Sequence, residues 1–193
     1  MYNIKNLDTI DNNYANGLLP QRNSPGVFYQ DTSCRSNLAD FLLDSENRRI
    51  IRKTDQYSFK TIPLSDFILT PEIQKQIHSW VKELGWDFPT SSIKTIFTRH
   101  IFNQINIWFL DQKPIAYLVC YSDNHISHAA YVFYDPSYSH NDLPIRIVLQ
   151  FIIDCHQNNL KFAYLGRFSK TTGYYKRTMP GFEYYNNQQW QKL

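Results

Sequence analysis

Residues 126–166 read ISHAAYVFYDPSYSHNDLPIRIVLQFIIDCHQNNLKFAYLG, and the change of period within them decides the fold. Ile126 to Tyr134 is rich in apolar, β-branched and aromatic residues, which predicts a strand, and Asp135-Pro136 stops it. Ile145, Leu149, Ile152 and His156 then share one side of a helix, with Val148, Phe151 and Cys155 broadening the apolar stripe. Such a helix packs onto a sheet. Asn141 or Asp142 is the expected N-cap, and Pro144 lies near the first turn. Asn158-Asn159 closes the helix, and Phe162 to Gly166 is the next strand. A strand, a helix and a strand in that order predict a parallel pair joined by a right-handed crossover.

Upstream, Ile105 to Leu110 and Ile115 to Tyr121 are two further strands, with turns at Asp111-Gln112-Lys113-Pro114 and Asp123-Asn124. Connections this short predict an antiparallel meander ending in the strand 126–134. Before it, Thr70 is a good N-cap, Pro71 suits the first helical position, and Ile73, Ile77, Trp80, Val81 and Leu84 fall on one face up to Gly85. A weaker helix is expected over Ser92 to Phe102. Another begins at Ser45, read as its cap, with Glu46 in the first turn. Residues 1 to about 26 are rich in Asn, Asp, Gly and Pro and read as an irregular arm. The expected division is a short N-terminal arm or lobe, 1–60, and a main domain, 61–193. A mixed sheet in which an antiparallel meander precedes a β-α-β unit is the order found in the GNAT-like acyltransferase fold, an α/β class.

Composition narrows the function classes. Hydrophobic residues make up 42% and charged residues 19%, which excludes a disordered chain. A formal charge of +3 is too small to argue for nucleic acid without local clustering. Cys34, Cys120 and Cys155 are too sparse for a disulfide framework, which fits a reducing cytoplasm. No run reaches the length of a membrane span, and the start carries no apolar leader, so no membrane partner is expected. The histidines form no metal-ligand pattern, and His125 and His128, flanking a strand start, read as structural or exposed. No metal site is expected.

An ordered set of short motifs carries a resemblance. Tyr134-Asp135-Pro136 ends a strand, a helix follows, then Tyr164-Leu165-Gly166, then Tyr175-Lys176, and Glu183 lies a few residues on. Upstream stands Ser45-Glu46-Asn47-Arg48-Arg49. In order and separation this resembles the arginyl-tRNA–protein transferase family across roughly residues 28 to 185. The resemblance implies transfer of an aminoacyl group, arginine or another, from aminoacyl-tRNA to the N-terminal amine of an acceptor protein or peptide. Charged tRNA is then the co-substrate and no other cofactor is implied, because Cys34 stands alone where the family carries a cysteine cluster. The chain also departs from the family at Pro144, where a Gly is usual.

The implied chemistry is aminolysis of an activated ester. In this fold the donor carbonyl sits where two parallel strands splay apart and backbone N–H groups can hold the oxyanion. The strands ending at Tyr134 and Gly166 are the expected wedge, with Gly166 allowing close approach or simply making a strand-end turn. Asp135 is a candidate for pairing with an ammonium, against an ordinary Asp-Pro turn. Tyr134 and Tyr164 offer hydroxyls, against packing. The resemblance gives Lys176 to a tRNA phosphate or 3′ end and Glu183 to a cationic donor side chain or peptide amine. Local reading alone makes both solvated. Arg48 with Arg52, and Arg49 with Lys53, align on a helix as a basic face suited to phosphates, or as a solvated one. Arg167 and Arg177 extend that surface. Two other functions remain open: an acetyl-CoA-dependent acetyltransferase, which the glycine-free loop 135–144 argues against, and a catalytically degenerate module that binds tRNA or peptide.

Overall fold

The computed structural model describes residues 7, 9–98, 101–169 and 173–193. Its helices are α1 Ile10–Ala15, α2 Ser45–Lys53, α3 Pro71–Glu83, α4 Thr90–Thr98 and α5 Leu143–Gln157. Its strands are β1 Leu18–Pro20, β2 Phe28–Gln30, β3 Ser33–Asn37, β4 Ser58–Pro63, β5 Gln104–Leu110, β6 Lys113–Ser122, β7 Ile126–Tyr134, β8 Phe162–Arg167, β9 Phe182–Asn186 and β10 Gln189–Gln191. Strands β3 to β10 form one sheet in the order β10-β9-β3-β8-β7-β6-β5-β4. Among the described residues the β7–β8 pair, across the α5 crossover, is parallel and the other neighbouring pairs of this sheet are antiparallel.

The meander and the crossover fall where the sequence predicts them. Asp111 and Gln112 adopt positive φ, which gives the tight hairpin its twist, and β6 starts at Lys113, so the turn is shorter than expected. Thr70 caps α3 by accepting from the Ile73 N–H, and Gly85 follows at φ +71°. The helix expected over Ser92 to Phe102 runs Thr90–Thr98, and positions 99 and 100 lie outside the described residues.

Three expectations are corrected. Asp44, not Ser45, caps α2: its carboxylate accepts from the Asn47 N–H at 2.7 Å while the Asn47 side chain returns to the Asp44 N–H, a capping box. Asp44→Ala is therefore expected to cost about 0.5–2 kcal/mol in a urea melt, whereas Ser45→Ala should stay within about 0.5 kcal/mol of wild type. Asp142 precedes α5 but makes no capping hydrogen bond, because its carboxylate faces α2 instead. Residues 10–20 are not irregular: α1 and β1 lie there, and Tyr14 and Leu18 are fully buried against Ile126 and Tyr164. In the main sheet β3 lies between β8 and β9.

Two layers cover the sheet. On one face α3 and α4 pack Ile77, Trp80, Ile93 and Ile96 onto Ile105, Tyr117, Val119 and Phe133. On the other, α5 packs Leu143, Ile147, Leu149 and Ile152 onto Trp108, Leu118, Ala129 and Leu165. Full burial of each such side chain is worth about 1.5–3 kcal/mol, so the stripe on α5 fixes its rotation over the sheet. Among the described residues no helix is long and apolar enough to cross a membrane.

Candidate active site

The sheet splits between β7 and β8. The two strands pair only from Ile126↔Phe162 to His128↔Tyr164. Just beyond, each carries an extra residue relative to its other neighbour. On β7 the register steps from Cys120↔Ala129 to Val119↔Tyr131, leaving Ala130 unmatched. On β8 it steps from Arg35↔Tyr164 to Cys34↔Gly166, leaving Leu165 unmatched. A bulge bends its strand and re-aims its amides. Two bulges at one level turn the strands apart and make a wedge.

Gly166 sits at the crotch of that wedge with φ +76°. A Cβ there would meet His128 Nε2 at 3.4 Å and the Ala129 carbonyl oxygen at 3.8 Å. Two cavities open on either side. One, of about 250 Å³, is lined mainly by apolar groups, including Trp86, Val132, Phe133, Val148 and Leu165. The other, of about 140 Å³, is lined by Leu19, Tyr29, Phe102 and His128 among others. Both are bordered by Ala130, Tyr131, Gly166 and Arg167, so they meet at the splay. Past His128 no residue of β7 pairs with β8.

The topology corresponds to known structures. The fold is similar to the C-terminal domain of a protein named a lysylphosphatidylglycerol synthetase from Agrobacterium fabrum, with a TM-score of 0.51 and 12% identity over 71% of this chain and 46% of that one. The chain has the GNAT-like fold, a mixed sheet in which an antiparallel meander precedes a β-α-β unit. It spans less than half of the Agrobacterium structure's length. A GCN5-related N-acetyltransferase from Kribbella flavida aligns at a TM-score of 0.45 and 12% identity, covering 79% of this chain and 53% of that chain. An aminoglycoside acetyltransferase from an uncultured soil metagenomic sample aligns at a TM-score of 0.40 and 14% identity, covering 63% and 83%. No protein-family model and no curated protein matches the chain.

Of the residues singled out in the sequence, Gly166 and Lys176 lie at the wedge of this GNAT-type sheet. Lys176 is not a solvated lysine. Its ammonium donates to the carbonyls of Leu165 at 2.5 Å and Arg167 at 3.0 Å, the two residues flanking Gly166. Burial pushes its pKa down, opposed by the nearby Cys34. Lys176 thus clamps the bent segment of β8. Arg167 pairs with Asp31 at 3.2 Å, and Arg177 lies over the Tyr174 ring at 4.1 Å while donating to its hydroxyl.

Other candidates are committed elsewhere. Tyr134 ends β7 and meets Trp86 edge-on, ring centres 6.4 Å apart. Asp135 accepts from the Ser137 N–H and hydroxyl and so starts a short 3-10 turn, Pro136–Asn141. Tyr164 is buried in an aromatic cluster with Tyr14 and Trp190, outside both cavities, and burial raises its pKa. Glu183 is buried on β9, where it binds Arg35 at 2.8 Å and the Asn37 amide at 3.0 Å, so it is neither a surface carboxylate nor turned to the wedge.

The basic face of α2 lies beside the start of α5. Arg49 pairs with Glu46, and both Arg49 and Lys53 reach Asp142, at 3.4 and 2.9 Å. Arg48 donates to the Leu43 carbonyl, and Arg52 is exposed. Asp142 itself holds φ +60° at the helix start, and Pro144 removes one of the N–H groups that follow.

Two groupings escape the sequence reading. Asp11, Asp123 and His125 place ligand atoms within 4.8 Å of one another. Asp123 already accepts from the N–H groups of His125 and Ile126 and from the Tyr121 hydroxyl, which accounts for the cluster as a turn network. The second is His128 with Tyr14. His128 is buried in β7, with Nδ1 2.7 Å from the Tyr14 hydroxyl. The partners are 114 positions apart, and no local pattern announces the pair. A further hollow of about 390 Å³ lies near the C-terminal end of α5, away from the wedge. Its thiols are held protonated by burial, Cys155 pushed up to about 12 and Cys120 also raised, which removes them as nucleophiles.

Proposed function

We propose that this protein is an aminoacyltransferase that receives the aminoacyl ester of a charged tRNA in the β7–β8 wedge and passes it to the N-terminal amine of a protein or peptide. The observation that carries the reading is the start of α5. A coenzyme A donor needs its diphosphate held by free N–H groups at this helix end. Here the approach, residues 135–144, contains no glycine, Asp142 places a carboxylate at the entrance, and Pro144 has no N–H to give. An ester carried on tRNA needs no such cradle. Its phosphates have α2 alongside, where Arg52 is exposed and Arg49 and Lys53 would exchange the Asp142 carboxylate for a phosphate. The Agrobacterium protein's name denotes a lysine-bearing product, which is consistent with an aminoacyl donor on this fold.

The donor side chain is read as uncharged. No carboxylate is among the described residues lining the larger wedge cavity, whereas Arg167 and Lys176 are. Asp135 and Glu183, the carboxylates expected to greet a cation, are tied to Ser137 and to Arg35. An apolar aminoacyl group therefore suits the cavity better than arginine.

The chemistry asks little of the protein beyond placement. Proximity and orientation supply about 7–11 kcal/mol in favourable cases, and an α-amine with an ordinary pKa of about 7.7–8.0 needs modest help to lose its proton. The test is transfer of labelled amino acid from a full set of charged tRNAs to peptides with varied N-termini. Label should move, more from apolar aminoacyl-tRNAs than from arginyl-tRNA, and calorimetry should detect no binding of acetyl-CoA. Tight acetyl-CoA binding overturns the reading. Binding of charged tRNA without transfer replaces it with the degenerate module.

A further inference from the structure

The crotch of the wedge brings a buried imidazole to the reacting centre. His128 is the last β7 residue paired with β8, so it stands where the strands begin to part. Its Nε2 lies 3.4 Å from the point a Cβ on Gly166 would occupy, and its ring lines the smaller cavity. Its Nδ1 is 2.7 Å from the hydroxyl of Tyr14, a fully buried side chain of α1. Tyr14 is itself fixed by Phe28, Tyr121 and Tyr164 around it. With Nδ1–H donating to the Tyr14 oxygen, the unprotonated nitrogen is Nε2, which sits beside Gly166 at the wall of the smaller cavity, the arrangement of a general base with an orienting partner.

We propose that His128 is the catalytic residue that accepts the proton of the attacking amine, with Tyr14 as its positioning residue. This rests on the aminoacyl-tRNA reading above. The amine nitrogen enters from the smaller cavity and bonds to the ester carbonyl carbon, whose oxygen takes up the negative charge. His128 Nε2 takes one proton from that nitrogen. The ester C–O bond then breaks, and the imidazolium returns the proton to the departing ribose oxygen. An amide and an uncharged tRNA 3′ end result, with nothing left over. Among the described residues, Tyr14 from α1 contacts the imidazole, Tyr29 from β2, Tyr131 from β7 and Arg167 from β8 line the same cavity, and Tyr121 from β6 and Tyr164 from β8 stand opposite His128 in register. Burial raises the phenols of Tyr14, Tyr121 and Tyr164, so they keep their protons at neutral pH.

His128→Asn tests it, because the shorter amide can still meet the Tyr14 hydroxyl while nothing replaces Nε2. The kcat for transfer should fall by about 10²–10⁴-fold with KM for charged tRNA unchanged. The inflection that imidazole contributes between about pH 5 and 8 should vanish, leaving a rate that climbs only as the amine deprotonates in water. Tyr14→Phe should lower kcat with the KM kept. Wild-type kcat and pH profile in His128→Asn overturn the assignment while leaving the donor reading intact. Should that variant fail to fold, a Tyr14→Phe protein with wild-type kcat, or a wild-type profile lacking the inflection, overturns it instead. A wild-type protein that transfers from no charged tRNA removes the donor reading and this role together.

Discussion

Glu183→Ala should lower the stability of the fold by about 3–5 kcal/mol, seen as a fall in the urea midpoint. The change leaves Arg35 in place, with a side chain only 9% exposed, and removes the carboxylate that neutralises it at 2.8 Å. The guanidinium cannot escape to water easily, because it is sandwiched between the Phe162 ring at 3.6 Å and the Trp190 ring at 4.0 Å. The Asn37 amide N–H loses its acceptor as well. The cost is that of a stranded charge and not the net worth of the pair. Replacing Arg35 with Met and Glu183 with Leu together should therefore recover most of the loss. An unchanged midpoint in Glu183→Ala would show that water reaches Arg35. Because β3 joins β9 to β8, the pair holds the half of the sheet that carries the bent side of the wedge.

Gly166→Val should abolish most transfer activity, by about 10²-fold or more, since a displacement of an ångström at the reacting centre has that effect. Two causes act together. A β-branched residue at φ +76° is strained by about 1–3 kcal/mol. Its Cβ also stands 3.4 Å from His128 Nε2, and the added methyls enter the space where the two cavities meet. Lys176 clamps the carbonyls on either side, so the segment cannot relax by rotating those peptides without losing hydrogen bonds. A stable, folded Gly166→Val protein with wild-type kcat would place the chemistry elsewhere. Gly181→Val makes a useful contrast. Its Cβ would meet the Asn37 carbonyl oxygen at 2.2 Å, far from the wedge, so it should unfold the protein and not poison a folded one.

The elements that were legible are those whose signals are local. Thr70, Pro71 and Gly85 bracket α3 because caps act within one turn. The β5–β6–β7 meander shows in short apolar runs and tight turns, and α5 in its stripe. β3 gives no such signal. Its sequence, Ser-Cys-Arg-Ser-Asn, reads as a polar loop, yet Ser33, Arg35 and Ser36 are buried. They are tolerated because Glu183 neutralises the arginine and the Pro180 carbonyl accepts the Ser36 hydroxyl. β4 alternates weakly and carries Lys60 and Pro63, as befits an edge strand.

The sequence by itself determined the crossover unit, the splay-prone glycine and the glycine-free approach to α5, since each depends on residues adjacent in the chain. Only the tertiary structure decided that Lys176 holds strand carbonyls, that Glu183 closes a buried ion pair, and that Tyr14 meets His128 across 114 positions. Hydrogen bonds and ion pairs are set by distance in space. A side chain's partner can lie anywhere along the chain, so its residue type fixes what it can do but not what it touches.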